Sequence, residues 1–469
     1  MTSSCPSLPA LLAATLTSSS LLCVVPTESA TTAPVDVIVR SQDVRPLPGG
    51  LDTILMINDN NPELIKNDGI LLSTFPNGGE ASIPVCLNGR FDLFSHHVYA
   101  GDIKAGPKST LWLALLAAPL ENRPVTITML EGSTSLSRAT QPGQTEAPFL
   151  PLPSIVRENT EVIASGPGSR VAGDLLAGRQ AAELTPQSWI MQPGALTQLL
   201  LLPIPIAGLD PLLNGRNLQL RLHSSDPVAV AILAAHSNGD NPPNNRALQI
   251  LLGKGKLSVK EHQPTPRGSW GKLIYSRVSG VQIGSRWQAN ITDPGSTVLN
   301  APTVPISWPI SSLERATLAT GQVQTSKLKS FYPGTAWAAH GNYGVEYDIE
   351  MPLRNNGTKS VTVQLSLDSP LKGNTDTSSL WFRSDRTGPV MFRGPLQIRG
   401  LDAIDGSPLG HQIVHLVLHQ GQQGPSLGRV NLKPGEQKQV RVRFIYPADA
   451  TPPQVLTVQP VEQPLAHQR

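Results

Sequence analysis

The sequence predicts a mainly β protein made of two immunoglobulin-like β-sandwich modules, a Gly/Pro-rich aromatic connecting region and one or two short helices. Period-two alternation of apolar and polar residues is the first sign, because successive strand residues face opposite sides of a sheet. The second is 40 Gly and 44 Pro in 469 residues, since both weaken or end helices. The third is a weak internal repeat. Leu111, Leu113 and Leu115, followed by residues 123–127, align at an offset of 236 with Tyr347, Ile349 and Met351, followed by 359–363. Gln192-Pro193-Gly194 before Leu196, Gln198 and Leu200 aligns at an offset of 241 with Lys433-Pro434-Gly435 before Val440 and Val442. Strand, turn, strand, then a Pro-Gly turn into another strand is sandwich punctuation.

In chain order, residues 1–33 read as an export signal. Apolar residues 8–16 and 21–25 flank Ser18, Ser19 and Ser20, and Ala30 or Ala33 ends a cleavable segment. No Lys or Arg precedes Arg40, so the terminal amine alone supplies the positive end. A first module is expected over 34–260. Within it, Leu218, Leu220 and Leu222, then Val228, Val230 and Ile232, read as a hairpin around residues 224–227. Residues 174–184 read as a helix with Asp174 as its N-cap. The connecting region covers 261–335, where Ser311-Ser312-Leu313-Glu314 has capping-box spacing before 315–319. A second module covers 336–455, with Val440, Val442 and Phe444 on one face and Arg441 and Arg443 on the other. Residues 456–469, rich in Pro and Gln, read as a disordered tail.

Composition excludes several functions. A formal charge of +3 is too small for nucleic-acid binding. No apolar run long enough for a membrane-spanning helix follows the signal. Cys5 and Cys23 lie within the signal, which leaves Cys86 without an internal disulfide partner and reads it as a small buried apolar residue. Neither His-Glu-x-x-His nor Cys-x-x-Cys occurs. His411, His415 and His419 lie in a β-branched stretch, where residues four apart are about 13 Å apart and cannot share an ion. His96 and His97 face opposite sides of a strand, which leaves open a pairing of His97 with His340. Asn58, Asp59, Asn60 and Asn61 read as a turn. No cofactor is expected.

Residues 270–347 hold nine of the 21 aromatic residues. Lys254, Lys256, Lys260, Arg267, Lys272, Arg277 and Arg286 lie before and within this stretch, against Glu261 and Asp293. Aromatic faces beside basic groups suit a glycan or an anionic envelope polymer. The ligand-binding candidates are Trp270, Trp287, Trp337, His340 and Tyr343. Alternatively, the aromatics fill an interface between the modules. The sequence thus reads as an exported envelope protein, acting by binding or structure on an envelope polysaccharide or protein. An envelope hydrolase using Asp348 and Glu350, and a metal-loaded periplasmic protein using His97 and His340, are the alternatives.

Asn60-Asn61-Pro62-Glu63, residues 69–75 and 91–97, residues 208–217, Gly334-Thr335-Ala336-Trp337, residues 340–345 and residues 446–453 together resemble a cyanobacterial family of secreted proteins of unknown function. The resemblance spans the chain after the signal. It implies export from a photosynthetic bacterium, to the periplasm, cell surface or medium, and brings no site residues.

Overall fold

Among the described residues, apolar alternation mostly becomes strand. The computed structural model describes residues 36–461, less 102–109, 159–164, 237–240, 272–273 and 275, with backbone alone at 61 and 62. The expected signal segment and the basic and aromatic candidates Lys272 and Tyr275 therefore lie outside the described residues. The strands are β1 (Val37–Ser41), β2 (Asp43–Val44), β3 (Gly50–Leu51), β4 (Leu55–Leu64), β5 (Gly69–Ser73), β6 (Leu87–Ala100), β7 (Thr110–Pro119), β8 (Val125–Leu136) and β9 (Ile155–Arg157). Helix α1 (Pro167–Leu176) precedes β10 (Ser188–Met191), β11 (Thr197–Pro205) and β12 (Leu213–His236). Helix α2 (Asn245–Gly253) precedes β13 (Val278–Ile283), β14 (Arg286–Asn290), β15 (Leu299–Asn300), β16 (Ile306–Ile310), β17 (Leu328–Phe331), β18 (Glu346–Arg354) and β19 (Val361–Asp368). The last six are β20 (Ser379–Arg383), β21 (Val390–Arg399), β22 (Gln412–His419), β23 (Ser426–Leu432), β24 (Gln437–Ile445) and β25 (Gln454–Pro460).

A ten-stranded sheet has the order β10-β8-β12-β6-β4-β13-β17, with β5, β7 and β11 attached through β12 and β7. An eight-stranded sheet runs β3-β14-β18-β24-β21-β22-β9 with β15 on β18, and a five-stranded sheet runs β2-β16-β25-β19-β23. The inner faces of the last two sheets share one core, to which Trp308, Leu365 and Leu456 come from one sheet and Ile349, Val442 and Leu416 from the other. A second core lies within the ten-stranded sheet, around Leu93, Leu220, Leu115 and Leu202.

The repeat survives in the hydrogen bonding. Strands β4-β6-β12-β8-β10 and β2-β16-β25-β19-β23 have the same order, each opening on a parallel pair and continuing antiparallel. Ile127 pairs with Trp189 as Val363 pairs with Val430, which reproduces the offsets of 236 and 241. Likewise Gln198 pairs with Leu116 as Gln439 pairs with Pro352, until a bulge shifts β11 by one residue. The parallel edge sets these sheets apart from the antiparallel sheets of an immunoglobulin sandwich. The halves also interleave across residues 260 and 335. β1, β2 and β3 pair with β20, β16 and β14, whereas β13 pairs back to β4. A parallel partner must come from a distant part of the chain, and here the first strands supply it.

Several expected elements are corrected. Residues 224–227 form no hairpin: Ser224 pairs with Gly89 and Val228 with Leu87, so the polar residues bulge and β12 runs on. There it exchanges β8 for β7 as its partner. The first helix is Pro167–Leu176, begun by a proline at N1 and followed by Gly178 at φ +65°, so Asp174 sits in its last turn and not at its N-cap. Residues 311–319 are not helical, because Ser311, Leu318 and Ala319 adopt positive φ. Residues 456–460, expected in the tail, belong to β25, whose Val455, Leu456 and Val458 are fully buried between β16 and β19. Cys86 is exposed, since Ile83, Val85 and Leu87 take the inward positions. Val440, Val442 and Phe444 do face the core.

The outer face of the ten-stranded sheet is also covered. Phe94 stacks on Tyr343 at 6.3 Å, and Gln219 donates to the Gly344 carbonyl at 2.7 Å. Beside them Glu346, 1% exposed, is held by Arg221 of β12 at 2.6 Å, Arg286 of β14 at 2.8 Å and Arg443 of β24 at 2.7 Å. Burial alone would raise this carboxyl, but the Arg221 charge and the bonds from Arg286 and Arg443 hold it at about 2. Its folded value lies below the unfolded one, so its contribution is complete above about pH 4.5 and lost as pH falls toward 2. Glu346→Gln is expected to lower the unfolding free energy by about 3 kcal/mol at neutral pH. Urea melts of both proteins should show that gap closing below about pH 4.

Candidate functional site

A cleft of about 920 Å³ opens where the connecting region meets the start of the second half. Its walls come from residues 264–271, 313–316, 323–328 and 336–340, with Lys372 from the loop after β19. Pro264 and Pro266 keep the first wall out of helix, and Gly268 and Gly271 turn it at φ +81° and +85°. Thr265 and Ile274 close that loop, with Thr265 N donating to the Ile274 carbonyl at 3.0 Å and Ile274 N to Thr265 Oγ1 at 2.7 Å. Trp270 sits at its tip, 98% exposed. The Arg315 guanidinium ties the loop to the opposite wall by donating to the carbonyls of Gly271, at 2.9 Å, and Ser269. Arg267 lies 4.9 Å over the Trp337 ring and 3.6 Å from Glu314. A bridge between Lys327 and Ala338 joins the remaining walls. Burial pushes the His340 imidazole down to about 4, so it is neutral at pH 7.

Of the five candidates read from sequence, Trp270, Trp337 and His340 line this cleft. Trp287 is 6% exposed, donates from Nε1 to the Pro48 carbonyl at 3.0 Å and stacks on Tyr347. Tyr343 packs on Phe94 and donates to the Ala450 carbonyl at 2.9 Å. Those two rings build core and junction. Asp348 and Glu350 share a face, but Asp348 accepts from Arg441 Nε and Nη2, each at 2.7 Å, and neither acid lines the cleft. His97 is fully buried against Asp59 at 2.8 Å and does not line the cleft with His340. Strand β22 carries His415 and His419, with His411 just before it, and burial pushes His415 down to about 4.

Residues 42–460 match the model of a family described as a protein of unknown function, DUF3370. The chain belongs to this family. No curated protein matches it. The DUF3370 match runs from the edge of β2 to the end of β25, and so takes in both repeated strand sets.

One polar feature of this DUF3370 chain was missed in the sequence. Residues 58–60 are not a turn but the middle of β4, which lies parallel to β6 and through it next to β12. Asn60, His96 and Asn217 thus stand in one row across three strands. Asn58 Oδ1, His96 Nδ1 and Asn217 Oδ1 are buried with no hydrogen-bond partner among the described residues, as are Asp59 Oδ1, Ser95 Oγ and His97 Nδ1 on the neighbouring positions. Loss of clean alternation over 58–60 and 95–97 was the available signal, because both faces of this sheet are covered. Glu63, Glu261 and His262 also bring ligand-type atoms within 4.8 Å of one another. Glu63 there accepts the Glu261 and His262 backbone N–H groups at 2.6 and 2.9 Å, and Lys66 meets Glu261 at 2.5 Å.

The two kinds of tryptophan should separate by stability. Trp270→Ala is expected to change the unfolding free energy by less than about 0.5 kcal/mol. Trp287→Ala should cost about 3–5 kcal/mol, read from urea melts.

Proposed function

We propose that this DUF3370 chain is an exported envelope protein that binds a glycan in the cleft, with Trp270 and Trp337 as its stacking faces. The observation that carries this reading is Trp270, 98% exposed at the mouth of the cleft. An aromatic ring left wholly in water gains nothing for the fold, whereas it offers an apolar face to a ligand. The cleft volume of about 920 Å³ accommodates several sugar rings and lies within the usual range of ligand sites, about 300–1,000 Å³. Export rests on the pattern of residues 1–33 and on the resemblance to secreted cyanobacterial proteins. No helix among the described residues is long and apolar enough to cross a membrane.

Binding is favoured over hydrolysis by the acids. Glycoside cleavage uses two carboxyl groups flanking one bond. Among the described lining residues only Glu314 is a carboxylate, and Arg267 faces it at 3.6 Å.

Affinity electrophoresis of the full chain, in gels containing envelope polysaccharide of a cyanobacterial host, tests the reading. Retardation is expected, with Trp270→Ala and Trp337→Ala each weakening it about tenfold, or about 1.4 kcal/mol. Equal retardation of wild type and both variants contradicts the site. Fractionation of cells making the untagged protein should recover it outside the cytoplasm without residues 1–33. Retention of the intact chain in the cytoplasm contradicts export.

A further inference from the structure

We infer that the cleft takes an acidic glycan, with Lys327 and Lys372 engaging its carboxylate or sulfate groups while its rings stack on Trp270 and Trp337. This rests on the glycan reading above and names the ligand's charge. Among the described lining residues four are cationic, Arg267, Arg315, Lys327 and Lys372, against one acid, Glu314. Arg267 is answered by Glu314 and by the Trp337 face. Two of the Arg315 N–H donors go to loop carbonyls on either side of Trp270, so it serves to hold that residue in place. Lys327 and Lys372 form no ion pair with any described carboxylate, although the chain as a whole balances 37 basic residues against 34 acidic ones.

An unanswered pair of ammonium groups beside two tryptophans has a chemical consequence. A neutral sugar would satisfy the rings and leave the charges to water. An acidic sugar satisfies both, because ammonium groups attract anions as point charges and tolerate either carboxylate or sulfate geometry. Among the described lining residues the cations outnumber the one acid, so the local field favours an anion over a neutral ligand of equal shape.

The test uses the full chain, and compares retention by polygalacturonate, dextran sulfate, neutral dextran and an oligothymidylate. At about 0.02 M salt, one or both acidic glycans should bind about tenfold or more tightly than dextran, and lose that advantage at about 0.5 M. Polygalacturonate against dextran sulfate separates carboxylate from sulfate recognition. The double variant Lys327→Gln/Lys372→Gln should lose about tenfold for the acidic glycan and nothing for dextran. Trp270→Ala should weaken both. Both lysines are exposed, so unchanged melting of the double variant is the folding control. Dextran bound as tightly as the acidic glycans, with no effect of the double variant, overturns the acidic inference and leaves the glycan reading standing. Oligothymidylate bound as tightly as the acidic glycans overturns it too, because charge alone is then read. No retention by any glycan overturns both.

Discussion

A carboxylate removed from water must be matched by cations, and Glu346 is matched by three. Arg221 reaches it from the ten-stranded sheet, and Arg286 and Arg443 reach it from the eight-stranded one. Arg221 also bonds Glu131 at 2.7 Å, which carries the network onto β8. The two sheets can therefore approach only in the register that brings these strands together. The neighbouring contacts, Gln219 on Gly344 and Phe94 on Tyr343, follow from that register. Arg286 belongs to the connecting region, which also supplies the cleft walls at 264–271, 313–316 and 323–328.

Much of the fold was legible because alternation is a direct consequence of strand geometry. Val440, Val442 and Phe444 were placed inward correctly, and the offsets of 236 and 241 reappear as matched pairings. Errors arose where local chemistry and long-range pairing disagree. Polar residues 224–227 look like a turn, yet a bulge accommodates them when flanking strands continue on both sides. Residues 456–460 look like a tail, yet β16 and β19 offer two open edges that this segment fills. Neither partner is near in sequence, so no local pattern could reveal them.

The same distinction sorts the site. Aromatic enrichment over 270–347 marked the right stretch, but composition does not say which ring points where. Trp270 stands on a loop turned by Gly268 and Gly271, whereas Trp287 alternates inward on β14. Asn58, Asp59 and Asn60 were read as a turn because polar residues rarely occupy a strand covered on both faces. Their burial beside His96 and His97 became visible only once β4, β6 and β12 were adjacent.

Structure and chemistry converge on a cleft whose walls Arg315 ties together, lined by two tryptophans and, among the described residues, by more cations than acids. The most direct test of this ligand site is amide hydrogen exchange on the full chain with and without polygalacturonate or dextran sulfate. Slowed exchange confined to residues 264–271, 313–316, 323–328 and 336–340 is the expected result. Slowed exchange elsewhere, with these walls unchanged, would contradict the cleft as the site where ligand binds.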